Sequence, residues 1–262
     1  MSGPPLTVIL AAGRSTRYAG PEPTKLLADV GGRPCVCRVV DALEAGLGEQ
    51  EQIVVTGWQA EAVEAAIGPA PHRRYVRQGE LRGTGHALSA ALATVPGNYP
   101  SSYVVVAAGD KPLLSAETVR KLWYWPPPNR WRPPVTVRPS VAFLAADLPH
   151  PAGSQGRVML GSPDCRAGHV PRIVEVGAAG GYPDPDAILA CRRVNCSLYA
   201  WHQTALRRAM AGLPDGTIPD WVNASPEPVP IYLPGDRWYE SLGVDTAEQL
   251  EEVRSWLPAA TG

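Results

Sequence analysis

The sequence contains no run of eighteen apolar residues and no signal-type segment, so neither a membrane-spanning helix nor a secretory leader is expected. A soluble, cytoplasmic protein is the resulting expectation. An excess of charge of one sign is also missing. With 24 Lys and Arg against 25 Asp and Glu, the net charge of −1 offers no global attraction to nucleic acid. An anionic ligand would therefore have to be held by a local cluster of cations. Cysteine is sparse: five residues, none in a paired metal-ligand spacing, and all read as reduced, with core or incidental roles. No G-x-G-x-x-G follows a strand, so the dinucleotide fingerprint is absent. Low-complexity sequence is absent too. The 29 prolines and 26 glycines are dispersed as turns between periodic segments, except in Trp123 to Pro134 (WYWPPPNRWRPP). That cluster is too proline-rich for a helix or central strand. It reads as a surface lid or a contact between subunits, and it carries no assigned chemistry.

What is present is a chain of 262 residues, 45% hydrophobic, sufficient for one large α/β core or two lobes sharing a cleft. Thr7 to Leu10, Gln52 to Thr56, Arg74 to Val76 and Tyr103 to Ala108 read as strands. Between them, helical spacing runs through residues 35–47, Ala60 to Ile67 and an Ala/Leu stretch after Gly83. This alternation predicts a mostly parallel sheet wound with right-handed crossovers, with ligands bound at the carboxyl ends of its strands. Tyr103 to Ala108 is the most hydrophobic strand and is expected to be central. Val135 to Ala146 reads as a further long strand, and Thr246 to Trp256 as the last helix.

The organising stretch is Leu10 to Lys25 (LAAGRSTRYAGPEPTK), which follows the first strand. Leu10, Ala11, Ala12 and Gly13 allow a backbone to approach a polyphosphate and aim N–H groups at its oxygens. Arg14, Arg17 and Lys25 add charge that backbone dipoles cannot supply; alternatively the stretch is a solvated basic loop. Further on, Gly83-Thr84-Gly85 opens a helix, with Thr84 a candidate cap. A helix start alone does not explain Gln78 at its offset. Asp110 ends the central strand beside a glycine, a position suited to ligating a divalent ion that carries a nucleotide. A helix-capping role is the alternative, but Ser115 already offers that cap.

These motifs resemble the sugar-1-phosphate nucleotidyltransferase family, whose opening signature LAAGxGTRM…PK is similar to residues 10–25. The nearest branch is the uridylyltransferase domain that makes UDP-N-acetylglucosamine. RQGELRGTGHA resembles the family's QxxxLGTGHA, which implies that Gln78, Gly83 and Thr84 read the edge of uracil. GDKPLLS resembles GDxPLIS, which implies Mg2+ on Asp110. Gly156 falls on the glycine of a G-x-G-R turn beside the sugar, Glu175 on the glutamate of G-I-V-E, and Asn195 on a sugar-binding asparagine. Leu242-Gly243-Val244-Asp245 resembles the family's G-V-D. That makes Asp245 the second metal ligand as well as the N-cap of the last helix.

The resemblance implies a Rossmann-like mixed, mostly parallel sheet flanked by helices, of the nucleotide-diphospho-sugar transferase type. One domain would span residues 1–262, with a nucleotide-binding half at about 1–115 and a sugar-binding half at about 135–245. No hexapeptide-repeat acetyltransferase domain is expected. The implied partners are a nucleoside triphosphate, UTP or its thymine counterpart, and a sugar 1-phosphate, with neither nucleic acid nor membrane. His86 reads as structural, since an ionised phosphate nucleophile needs no general base. From Trp201 to Tyr239 the resemblance thins and Asp215 to Pro228 reads as a loop, which leaves the identity of the sugar open. Two other readings remain. One is a molybdopterin cytidylyltransferase, which shares LAAGxSxRxG…K and GDxP. The other is a non-catalytic nucleotide-binding regulatory module, against which the retention of both Asp110 and Asp245 stands.

Overall fold

A computed structural model describes residues 4–97, 99, 101–124, 139–150, 152–160 and 170–257. Of the Trp/Pro cluster, Trp123 ends a helix and Tyr124 follows it; residues 125–134 lie outside the described residues, as do 135–138.

The first half alternates strand and helix as its periodicity predicts. β1 (Leu6–Ala11), α1 (Cys35–Leu47), β2 (Gln52–Thr56), α2 (Ala60–Ile67), β3 (Arg73–Arg77), α3 (Thr84–Ala93), β4 (Tyr103–Ala108) and α4 (Ala116–Trp123) follow in order. The second half contributes β5 (Val141–Asp147), β6 (Arg157–Leu160), β7 (Pro171–Val174), α5 (Pro185–Ala190), β8 (Arg193–His202), α6 (Gln203–Gly212), α7 (Ile218–Ala224), β9 (Val229–Tyr232) and α8 (Ala247–Ser255). One sheet runs through both halves in the order β3-β2-β1-β4-β8-β5-β9, with β6 and β7 attached beside β8. β3, β2, β1 and β4 are parallel. β8 runs antiparallel to both β4 and β5, and β5 is parallel to β9. β4 is the middle strand of that order, as its continuous apolar run predicts.

Successive strand side chains point to opposite faces, and each face is covered. Ile9, Val54 and Val105 pack with Val36, Val39, Val40 and Leu43 of α1 and Val119 and Leu122 of α4. Val8, Ile53, Val55, Val104 and Val106 pack with Ala87, Leu88, Ala91 and Leu92 of α3 and with Leu206 and Trp221 of the second half. The result is helices on both sides of a buried sheet. Gly46 of α1 allows the close crossing of α4, since a Cβ there would meet Val119 at 2.7 Å. Among the described residues no helix is long and apolar enough to cross a membrane.

Four local expectations are corrected. Asp215 to Pro228 is not a loop: α7 lies inside it, started by a capping box in which Thr217 and Asp220 exchange hydrogen bonds, with a proline in the first turn. The last helix is capped by Thr246, whose side chain accepts from the Gln249 N–H, and not by Asp245. α3 is capped by the backbone of Gly83 with no side-chain bond, so Thr84 is its first residue and not its cap. The long strand begins at Val141, because Pro139 and Ser140 before it are not strand; the expected start at Val135 lies outside the described residues.

Candidate active site

Because β1, β2, β3 and β4 are parallel, their carboxyl ends share one edge of the sheet, and the opening loop leaves from it. Leu10 accepts a hydrogen bond from Gly109 N–H (2.9 Å), and Ala12 accepts one from Trp58 N–H (3.2 Å). These bonds fix Leu10, Ala11 and Ala12 between the ends of β4 and β2. Gly13 and Arg14 then turn out to solvent. Ser15, with φ +55°, sends the chain back on itself. Its hydroxyl pairs with Thr24 Oγ1 at 2.7 Å and accepts from Lys25 N–H at 3.3 Å. The loop thus returns Lys25 to the strand edge from which Ala12 departed.

There Lys25 Nζ meets Asp110 Oδ2 at 2.6 Å and Asp245 Oδ1 at 2.5 Å. Arg17 Nη2 adds a contact to Asp245 Oδ2 at 2.9 Å. Two carboxylates from opposite halves of the chain therefore converge on one cationic point. Burial pushes the Lys25 ammonium down, but the Asp110 and Asp245 charges together hold it well above the ordinary lysine range. Burial raises Asp110, and Lys25 and Lys111 more than offset that, leaving its carboxyl below the usual value. Arg14 is exposed and makes no hydrogen bond or ion pair among the described residues.

The cationic point fits a small divalent ion. Asp110 Oδ1 is buried and has no hydrogen-bond partner among the described residues, which leaves it an acceptor open to a cation. Mg2+ binds through one or two carboxylates and completes its shell with water and substrate phosphates. Two carboxylates suffice for that, and no cluster of three or more metal-ligating side chains occurs among the described residues.

A cleft of about 320 Å³ opens from this point, lined by Asp110, Asp245, Ser154, Gln155, Gln249 and Glu252 among others. Ser154, Gln155, Gln249 and Glu252 are additions to the sequence-derived set, and only Ser154 and Gln155 lay within a recognised motif. Lys111 also lines the cleft; it sits inside GDKPLLS, and its charge beside Asp110 was the available signal.

The remaining candidates form two further groups. Gln78 is buried, and its Nε2 donates to Gly83 O (3.2 Å) and to His86 Nδ1 (2.8 Å). His86 thus orients the glutamine, in keeping with a structural reading. Gly83 has φ +98° with open space where a Cβ would lie, so its backbone is both glycine-requiring and approachable. Thr84 is exposed at the helix start beside it. Gly85 is required for another reason: a Cβ there would lie 2.0 Å from Gly216 O.

Gly156, Glu175 and Asn195 meet on the second half. Gly156 O accepts from Asn195 N–H at 2.9 Å, and a Cβ on Gly156 would lie 2.9 Å from Glu175 Oε1. The Asn195 amide donates to Tyr199 Oη (2.6 Å), and its oxygen accepts from Ser197 N–H (3.2 Å) across a bulge where β5 and β8 lose register. Both polar ends of Asn195 therefore have partners within the chain. The Glu175 carboxyl is pushed up by burial and by Asp220, with Arg157 opposing. α7, missed in the sequence, supplies Asp220 and also Asn223, whose amide closes the edge of β7 through Ile173 N–H and O at 2.8 Å each.

Comparisons with known proteins bear on the family and the fold. Residues 7–130 match the MobA-like NTP transferase domain. The bifunctional protein GlmU of Heliobacterium modesticaldum is 34% identical over 206 residues, which cover 78% of this chain and 39% of that protein. GlmU of Cupriavidus pinatubonensis is 32% identical over 257 residues, 94% of this chain and 50% of that one. The chain thus spans no more than about half the length of these relatives. In fold, it is similar to a Bacillus anthracis structure assigned as a glucose-1-phosphate thymidylyltransferase, with a TM-score of 0.67, 15% identity and coverage of 95% and 94% of the two chains.

Proposed function

We propose, from the match of residues 7–130 to a MobA-like NTP transferase domain, that the chain is a nucleotidyltransferase that joins UTP to a sugar 1-phosphate with release of pyrophosphate. The observation that carries this reading is the meeting of Lys25, Asp110 and Asp245 at the carboxyl edge of the sheet. Asp110 and Asp245 would hold Mg2+, which, when bound, supplies charge neutralisation between the two reacting phosphates.

Both reactants are anions, so the chain's task is alignment and charge compensation. The small residues Leu10 to Gly13 let backbone N–H groups approach the triphosphate. Arg14, which has no partner among the described residues, and Arg17 face its β- and γ-phosphates. With Asp110 and Asp245 engaged by a divalent ion, Lys25 would be released from them and its ammonium would serve the α-phosphate or the attacking group. The sugar phosphate oxygen is already ionised at neutral pH, so it attacks phosphorus in line without a general base, and the P–O bond to pyrophosphate breaks. Gln78, Gly83 and Thr84 select uracil through an amide edge and exposed backbone. Gly156, Glu175 and Asn195 line the sugar pocket, with N-acetylglucosamine 1-phosphate the leading acceptor and a less common sugar the next.

A second reading, cytidylyl transfer to a molybdopterin-type acceptor, rests on the shared LAAGxSxRxG…K and GDxP motifs, and the MobA-like NTP transferase match is compatible with it. A matrix of nucleoside triphosphates against phosphate acceptors, scored by pyrophosphate release, separates the two. UTP or TTP with a sugar 1-phosphate is the expected best pair. CTP or GTP exceeding UTP at least tenfold with the best sugar phosphate would defeat the base assignment.

A further inference from the structure

Lys111 is a buried lysine with no part in the proposed phosphate, base or sugar contacts. It follows Asp110 directly, yet its Nζ donates to the Ser241 carbonyl at 3.0 Å, and the residue is 9% exposed. The same carbonyl accepts from Gln155 Nε2 at 2.8 Å. Three residues further on, Val244 N–H donates to the Asp110 carbonyl at 3.1 Å. Residues 110–111 therefore grip the segment that ends in Asp245 at two points, one through backbone and one through the lysine. Gly243 lies between them, and a Cβ there would sit 2.7 Å from Lys111 Nζ and 3.3 Å from Asp110 O. Any larger residue would push the strut out of its place.

An apolar residue would fill the Lys111 position without the desolvation cost of burying an ammonium. What the ammonium adds is a directed bond across 130 residues of sequence to the segment that carries the second carboxylate. We infer that Lys111 is a positioning residue that holds Asp245 within reach of the cation shared with Asp110, with Gly243 providing the clearance it needs. This rests on the cation site of the proposed function.

Two effects of Lys111 oppose each other, and their opposition makes the test decisive. As a positive charge beside Asp110, it weakens the binding of any cation there. As a strut, it strengthens binding by keeping two carboxylates at one point. The experiment measures Mn2+ binding to the full chain by electron paramagnetic resonance and, separately, hydrogen exchange of the Val244 amide without metal. In Lys111→Met, Mn2+ should bind at least tenfold more weakly and the Val244 amide should exchange at least tenfold faster, while β4 amides keep their protection. Ser241 O retains Gln155 as a donor, so the fold is expected to survive. Gly243→Ala should reproduce both changes, and the double variant should bind no more weakly than the weaker single one. Unchanged or tighter Mn2+ binding in Lys111→Met would overturn the inference, as would an unchanged Val244 exchange rate. A wild-type chain that binds no Mn2+ would instead overturn the cation site, and the exchange rate would then judge the strut by itself.

Discussion

Replacing Lys25 by methionine tests the charge arrangement at its centre. The substitution keeps the length of the side chain and removes the ammonium from between two carboxylates. The contacts of 2.6 and 2.5 Å place Asp110 Oδ2 and Asp245 Oδ1 no further than about 5 Å apart. At an effective dielectric near 20, two unit charges at that separation repel by about 3 kcal/mol. The three side chains are 14%, 22% and 25% exposed, so solvent screens only part of this. A loss of about 2–4 kcal/mol is therefore expected when chelator has removed divalent ions, in line with the cost of breaking a partly buried pair. Mg2+ should then bind the emptied point without a competitor and restore about 2–3 kcal/mol at a hundredfold excess over its dissociation constant. The wild-type protein should gain less, because Mg2+ must first displace Lys25. Urea unfolding at low ionic strength, with chelator and with Mg2+, measures all four stabilities. A variant within about 0.5 kcal/mol of wild type in chelator would refute the reasoning, and so would an equal gain from Mg2+ in both proteins.

Asp110→Asn or Asp245→Asn should abolish pyrophosphate release with an unchanged circular dichroism spectrum; near-normal turnover in excess Mg2+ would remove that residue from the metal site. The stability gap between wild type and Asp110→Asn should also depend on pH. Asp110 lies below its ordinary value of 3.8 in the folded chain, so its contribution is complete above that value and is lost as pH falls through the folded one. Urea midpoints that keep the same gap at pH 7 and in strong acid would contradict this. Truncation of Arg14 should cost about 2–4 kcal/mol of barrier at unchanged stability, and a rate loss below tenfold would place it outside the phosphate site. Glu175→Ala should raise KM for the sugar phosphate more than for UTP; an unchanged KM for every accepted sugar phosphate would show that the pocket lies elsewhere.

Local order was legible wherever apolar periodicity and turn chemistry act within a dozen residues. The bounds of α1, β2, α2 and β4 follow from the apolar spacing around Val36 to Leu47, from Gln52 to Thr56, from Ala60 to Ile67 and from the run Tyr103 to Ala108. The candidate ligands were legible for a related reason: Gly13, Gly83 and Asp110 occupy the strand-to-helix turns that a parallel sheet sends to one edge. Around α7 the local signals were ambiguous, because Pro219, Asp220 and Asn223 suit a loop as well as a capped first turn, and packing of Ile218, Trp221 and Val222 decides for the helix. The cap of α8 also went to a neighbour. Thr246 competes with Asp245 for that role, and the Asp245 side chain is instead held by Lys25 and Arg17, contacts 220 and 228 residues away in sequence. No periodicity carries information over that distance. The sequence by itself determined which residue types stand at the ends of strands. Only the tertiary structure decided that Lys25, Asp110 and Asp245 share one point, that Lys111 reaches the Ser241 carbonyl past Gly243, and that β8 joins the two halves by running against β4. These depend on the closure of long loops, whose entropic cost is met by contacts summed over the whole sheet and encoded in no single stretch.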